Sequence, residues 1–145
     1  MKIGAGSRIM MKSIVMCPWR IRIGKNTTVN EYCYLDGRGG LEIGNNVNIA
    51  LFSMLITGSH RTHSPEFEYY AEPIKIEDGV WLAARSTILN GCILKAGCIV
   101  GAGAIVMPHS ICACGTVYAG VPAEAVRERE LESPLEMSHW DIHFR

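Results

Sequence analysis

Imidazole titrates near neutral pH, so histidine is the first side chain to consider for acid–base chemistry. Five histidines occur in 145 residues, and two of them, His60 and His63, fall in one stretch, Thr57 to Pro73, that reads TGSHRTHSPEFEYYAEP. This stretch contains no Leu, Ile or Val, whereas the segments on either side are rich in them. His60 follows Thr57-Gly58-Ser59 immediately after the aliphatic segment, so packed structure should still hold its backbone; His63 is farther out. A well-anchored imidazole is the better general base. From spacing alone, a simple polar loop residue remains an equal reading of His60. The six cysteines (Cys17, Cys33, Cys92, Cys98, Cys112 and Cys114) form no CxxC pair. Cys112 and Cys114 would be poorly placed to bridge along one strand. We read the thiols as reduced and mainly structural.

The elements that must position His60 follow from a six-residue period. Ile3, Ile9 and Val15 keep this step, as do Ile23, Val29 and Leu35, then Ile43, Ile49 and Leu55, each set starting twenty residues after the last. Beyond the break, Ile76, Leu82, Ile88, Leu94, Val100, Val106, Cys112 and Tyr118 hold the step through eight positions. One inward side chain per six residues implies a short strand, a turn and another short strand. Three such units close a triangular coil, and stacked coils pair in parallel and bury the aliphatic column. About five coils are expected over residues 3–121. Gly4, Gly24, Gly44 and Gly101 follow inward residues where a turn needs a small side chain or positive φ. Asn26, Asn45 and Asn46 suit the same turns. An antiparallel sandwich fits less well because alternation at period two is weak. Periodicity does not give the hand of the coil.

Composition agrees with a single domain over residues 1–145. Aromatics make up 8% of the chain and glycine reaches fifteen, which suits an aliphatic core with many tight turns. Fourteen basic residues balance fourteen acidic ones, so no bulk field attracts nucleic acid or an anionic membrane. MKIGAGSRIM has no signal-like apolar run, and no later segment approaches a membrane span, so a cytoplasmic protein is expected. The break at 57–73 is expected to be a long functional loop leaving the coil. After Val121-Pro122, AEAVREREL is expected to begin a short C-terminal helix. Trp140 and Phe144 in the tail are expected to cover a coil end or pack on a neighbouring subunit.

Several motifs together resemble one family. LDGRGGLEIGNNVNIA (35–50), ITGSH (56–60), EPIKIEDGVWLAARSTIL (72–89), VGAGAIV (100–106) and YAGVPAEAVRER (118–129) look like the hexapeptide-repeat acyltransferases, which include galactoside, maltose and capsular-sugar O-acetyltransferases. The likeness spans roughly residues 21 to 130. It implies an all-β, left-handed parallel β-helix, an acetyl-coenzyme A dependent acetyltransferase, and a homotrimer with sites between subunits. It also implies a small-molecule acceptor such as a sugar. By the same resemblance His60 is the catalytic base, and Asn30 and Asp36 are acceptor-binding, although an Asn or Asp at those places could also orient the imidazole or satisfy a turn. Trp81, Ala84, Ala102 and Arg127 are cofactor-binding, the two alanines through backbone amides. No metal is expected.

Two departures remove positive charge. Glu124 stands where relatives often carry Lys or Arg, and Met107-Pro108 replaces the usual Thr-Lys, leaving Arg127, Arg129 or a basic residue of another subunit to meet coenzyme phosphates. Two other readings stay open. A zinc hydratase of the γ-carbonic anhydrase type would need His60, His63 and His109 to converge. A structural β-helix without catalysis would bind no acetyl-coenzyme A.

Overall fold

Each inward residue of the six-residue register sits in a strand of two to four residues, because a corner must follow before the next side of the triangle. The computed structural model describes residues 1–130, so the expectations for Trp140 and Phe144 lie outside the described residues. The first coil is β1 (Lys2–Ile3), β2 (Arg8–Ile9) and β3 (Ile14–Met16), followed by a 3-10 turn at Pro18–Arg20. The second is β4 (Ile21–Ile23), β5 (Thr28–Val29) and β6 (Tyr34–Asp36); the third is β7 (Leu41–Ile43), β8 (Asn48–Ile49) and β9 (Met54–Leu55). A hairpin of β10 (Gly58–His60) and β11 (Tyr69–Ala71) then leaves the coil. The coil resumes with β12 (Ile74–Ile76), β13 (Trp81–Leu82) and β14 (Thr87–Ile88), then β15 (Ile93–Leu94), β16 (Ile99–Val100) and β17 (Ile105–Val106). β18 (Ile111–Cys112) and β19 (Thr116–Ala119) open a sixth turn, and β20 (Glu124–Glu128) folds back on it.

Three sheets form the sides of the prism. Sheet A runs β1-β4-β7-β12-β15-β18, sheet B runs β2-β5-β8-β13-β16-β19-β20, and sheet C runs β3-β6-β9-β14-β17. The hairpin does not disturb the stack, since β7 pairs directly with β12 and Ile43 lies beside Ile76. This is the parallel β-helix expected, consistent with a left-handed coil. The aliphatic column is sealed: Val29, Leu35, Ile49, Leu55, Leu82, Ile88, Leu94 and Val100 are fully buried. Ile3, at the open first coil, is 44% exposed, because no rung covers it.

Two features of the core escaped the simple period. Ile21, Leu41 and Ile74 are also buried, each two residues before a counted inward residue. The twenty-residue coils therefore carry a two-residue insert in sheet A, which preserves the inward and outward alternation of a strand. A second inner column, two residues ahead of the first in sheets B and C, holds small side chains: Thr27, Cys33, Val47, Ser53, Val80, Ser86, Cys98 and Ala104. Burial pushes the Cys98 thiol up to about 12 and the Cys112 thiol up to about 11. Both are therefore protonated filler at neutral pH. The polar members satisfy the turns: Thr27 Oγ1 donates to the Gly44 carbonyl at 2.8 Å and accepts from the Val47 N–H at 3.1 Å.

Corners use two devices. Asn26 and Asn46 adopt φ of 53° and 54°, the left-handed region that Asn tolerates. A Cβ on Gly24 would lie 2.6 Å from the Gly44 carbonyl carbon of the next coil, so this column needs the missing side chain. At the corner between sheets B and C the left-handed residues are Lys12, Tyr32, Phe52 and Arg85. Their backbone cost is offset by stacking: Tyr32 and Phe52 lie 4.9 Å apart, with Lys12 over Tyr32 and Arg85 over Phe52.

The expected C-terminal helix is corrected. Over Glu124–Glu128 the chain is a strand paired antiparallel with β19, Thr116 opposite Glu128 and Ala119 opposite Glu124. The physical reason is twofold. AEAVREREL has too few apolar residues to build a helical stripe, and so short a helix is marginal without one. The last parallel strand of sheet B meanwhile presents backbone groups that need partners. Arg129 completes this closure, its guanidinium donating to the carbonyls of Gly97 at 3.1 Å and Gly79 at 3.4 Å.

Candidate active site

His60 lies on the hairpin that rises from the corner between sheets C and A, and its ring is exposed rather than packed into the core. The expected loop is thus a two-stranded ladder, with Gly58 opposite Ala71, Ser59 opposite Tyr70 and His60 opposite Tyr69. Buried polar residues fix both legs. On the outgoing leg the Asp36 carboxylate, fully buried, accepts the N–H groups of Thr57 and Gly58 at 3.1 Å each. Thr57 Oγ1 donates to the Asp36 carbonyl at 3.1 Å and accepts from the Gly39 N–H at 2.9 Å. On the return leg Glu72 N–H donates to the Thr57 carbonyl, and the Glu72 carboxylate accepts from Asn90 Nδ2 at 2.7 Å.

Asp36 is held ionised in this setting. Burial by itself would raise its pKa, but the Arg38 guanidinium grips both oxygens at 2.9 and 3.0 Å. With the backbone donors it outweighs the desolvation and brings the carboxyl down to about 2. Arg38 also lies 5.6 Å from the centre of the Tyr69 ring, whose edge meets His60 at 5.5 Å between centroids. A chain of contacts therefore runs from the buried carboxylate to the imidazole. The Asp36 oxygens face these donors and are not open to an acceptor, which differs from the acceptor contact expected for this residue.

The imidazole is oriented by one hydrogen bond. His60 Nδ1 meets the carbonyl oxygen of Phe67 at 2.5 Å. A carbonyl can only accept, so Nδ1 carries the proton and Nε2 of the neutral ring presents a lone pair. Phe67 adopts φ of 49°, uncommon for a bulky residue, and this turns its carbonyl toward the ring.

The residues expected to meet coenzyme fall elsewhere. Trp81, 47% exposed, stands on the outer face of sheet B. Register places Trp81, Ile99, Val117 and Arg127 in one row across β13, β16, β19 and β20. Three strand steps separate Trp81 from Arg127, about 14 Å. Ala84 and Ala102 stack one coil apart at the corner between sheets B and C, Gly103 N–H donating to the Ala84 carbonyl. Among the described residues neither alanine N–H has a hydrogen-bond partner. Arg127 and Glu124 are exposed on β20, while Arg129 is committed to turn carbonyls. Asn30 is at the same corner, in an earlier coil, where Nδ2 donates to the Ile49 carbonyl at 2.9 Å and to Asn48 Oδ1 at 3.2 Å. The fold thus brings Asn30, Trp81, Ala84, Ala102 and Arg127 to one side of the prism and His60 to another, with sheet C between.

His63 lies farther out on the exposed tip of the hairpin, and His109 packs toward Glu72, its Nε2 3.4 Å from the carboxylate. Among the described residues no three His, Cys, Asp or Glu side chains converge to hold a metal ion. Nor is any helix among them long and apolar enough to cross a membrane. Arg38, Phe67, Tyr69, Glu72 and Asn90 also belong to this site and were not legible from residue spacing. An Asp followed two residues later by Arg, in LDGR, was a usable signal for the first; Phe67 acts through its backbone and left none.

A triangular parallel β-helix with one oriented imidazole on a projecting hairpin defines the class: a hexapeptide-repeat transferase. The description "Bacterial transferase hexapeptide (six repeats)" matches residues 73–108. The WcaF protein of Escherichia coli (strain K12), named for acetyltransfer in colanic acid biosynthesis, is 32% identical over 128 residues, covering 88% of this chain and 69% of its own. A hexapeptide-repeat acetyltransferase from Vibrio cholerae O1 biovar eltor, solved with acetyl coenzyme A, superposes with a TM-score of 0.81 at 28% identity, over 88% of this chain and 70% of that one. A galactoside acetyltransferase solved with coenzyme A gives 0.82 at 26% identity, over 89% and 65%. The chain belongs to the hexapeptide-repeat acetyltransferase family, and it is an acyltransferase.

Proposed function

We propose that the protein transfers an acetyl group from acetyl-coenzyme A to a hydroxyl of a saccharide, with His60 as general base. The observation that carries this reading is the Nδ1 contact to the Phe67 carbonyl, which leaves Nε2 free to accept a proton. Nε2 takes the acceptor hydroxyl proton as its oxygen attacks the thioester carbonyl. The resulting tetrahedral centre collapses by breaking the carbon–sulfur bond, and His60 returns the proton to the departing thiolate. No acyl-enzyme forms, so the buried thiols need no part in it. Asp36 and Arg38 act by holding the hairpin, and the exactness of that hold matters because near-attack geometry supplies much of the rate.

The coenzyme arm is proposed to lie along the corner between sheets B and C, with the Ala84 and Ala102 N–H groups donating to its amides. Trp81 would lie beside the arm, and Arg127 is the basic group nearest at hand for its phosphates. Sheet C separates this strip from His60 within one chain, which supports a homotrimer in which the strip of one copy meets the hairpin of the next. Asn30, on that same strip, would then reach an acceptor held at a neighbour's His60. Acetyl-coenzyme A is a cytoplasmic metabolite, so cytoplasmic action follows from the same reading. The test is His60→Ala assayed by thiol release: turnover is expected to fall about 10²- to 10⁴-fold with coenzyme binding retained. Unchanged turnover would remove His60 from the chemistry.

A further inference from the structure

A trough crosses the outer face of sheet A from the foot of the His60 hairpin. Trp19, Arg20, Arg22, Glu42, Glu72 and Lys75 are among the residues that line it. It exists because the corner between sheets C and A is irregular. Gly39, Gly40 and Gly91 leave bare backbone there, while the 3-10 turn at Pro18–Arg20 raises a wall one coil below. A Cβ on Gly39 would lie 2.6 Å from the Glu72 carbonyl oxygen, so the corner can be this shallow only without a side chain.

Its chemistry is specific. Trp19 is 74% exposed on this wall, and among the described residues no ring or cation stacks on it. Ile21 and Ile23 point inward, so Arg22 points out, and Arg20, the last residue of the 3-10 turn, lines the same trough. Among the described residues Arg20, Arg22 and Lys75 form no ion pair. Two carboxylates also line the trough. Glu72 is held by Asn90 and faces His109, while Glu42 lies between Arg22 and Lys75 in the strand register. Three cations therefore meet one uncommitted carboxylate.

We propose that this trough binds the acceptor and that the acceptor is an anionic saccharide. The C–H face of a pyranose stacks on Trp19, and its carboxylate or phosphate pairs with Arg20 and Arg22, whose guanidinium groups suit such oxyanions. The trough shares its corner with the His60 hairpin and lies away from the coenzyme strip, so a saccharide held there extends toward the base from the side opposite the thioester. The proposal deepens the acetyltransferase reading in naming an acceptor class, but its binding step stands without turnover.

The test titrates the full chain by calorimetry, without coenzyme, against glucose, glucuronate, glucose 1-phosphate and inorganic phosphate, with melting curves confirming that every variant is folded. Glucuronate or glucose 1-phosphate should bind at least about tenfold more tightly than glucose, and the preferred one identifies the anion. Trp19→Ala should weaken that sugar about tenfold or more, and the double variant Arg20→Ala/Arg22→Ala should erase its advantage over glucose. Equal binding of glucose and both acidic sugars, absence of sugar binding, or inorganic phosphate binding as tightly as glucose 1-phosphate with no effect of Trp19→Ala would each overturn the proposal. Coenzyme binding measured on the same samples separates the two readings. Coenzyme bound without sugar preference removes the trough alone, whereas a preserved sugar preference with no coenzyme binding removes the acetyltransferase reading alone.

Discussion

The corner between sheets B and C and the corner between sheets C and A belong to the same coils yet are held by different forces. At the first, residues repeat: Ala84 stacks under Ala102, Tyr32 on Phe52, and every rung rests on a buried aliphatic column. At the second, the repeat is interrupted, and the hairpin is held by buried or nearly buried polar side chains, Asp36, Thr57 and Asn90. Apolar stacking tolerates small shifts because it has no direction. A hydrogen-bonded clamp does not, and that suits a segment that must aim one imidazole.

This contrast can be broken from either side. The largest effect short of removing His60 itself is expected for Asp36→Ala, which leaves the Thr57 and Gly58 N–H groups without their acceptor and releases the Arg38 guanidinium. An unpaired donor away from water costs about 1–3 kcal/mol, whereas Arg38, 38% exposed, turns to solvent. Turnover should fall at least about 10²-fold if that loss frees the hairpin. Coenzyme affinity, read by calorimetry, should stay near the parent value, because the strip proposed for it is on the other corner. A matched loss of coenzyme binding would show that the two corners are not independent.

Leu94→Ala tests the opposite region. It removes a fully buried rung residue and should lower stability by about 2–5 kcal/mol in denaturant unfolding. Acidification sharpens the comparison further. Asp36 has its folded pKa depressed to about 2, so its contribution is present above the ordinary carboxylate value and is lost as pH falls from about 4 toward 2. About 2 kcal/mol should disappear over that window, and in Asp36→Asn the corresponding acid-dependent step should be absent. Arg127→Ala should weaken coenzyme about five- to tenfold, with a shallower salt dependence. The smallest effect is expected for Phe67→Gly: glycine keeps positive φ and the carbonyl, so turnover should remain within about threefold. Phe67→Val, which disfavours that backbone, should lose more.

Much of the solenoid was legible because its cause is local. A side chain that must face inward every six residues leaves its mark wherever it occurs, and Leu82, Ile88, Leu94 and Val100 are all fully buried as that mark predicts. The break at 57–73 was legible for the same reason, as a place where the mark stops. The C-terminal strand was misread as a helix because its partner, the open edge of β19, is a property of the finished stack and not of AEAVREREL. Asp36 was noticed through resemblance, but acceptor contact and turn support could not be told apart there. Its partners Thr57 and Gly58 lie 21 and 22 residues away, and nothing in LDGR says which backbone groups will face that carboxylate.

By itself, then, the amino-acid order determined the coil, its core and the point where the chain departs from it, since repeated burial of aliphatic side chains is encoded rung by rung. Only the tertiary structure decided which ring nitrogen of His60 is free, that Asp36 serves the hairpin, and that His60 and the row from Trp81 to Arg127 stand on different sides of the prism. Those outcomes depend on directed hydrogen bonds and on distances between residues far apart in the chain, and neither exists until the coils have closed and stacked.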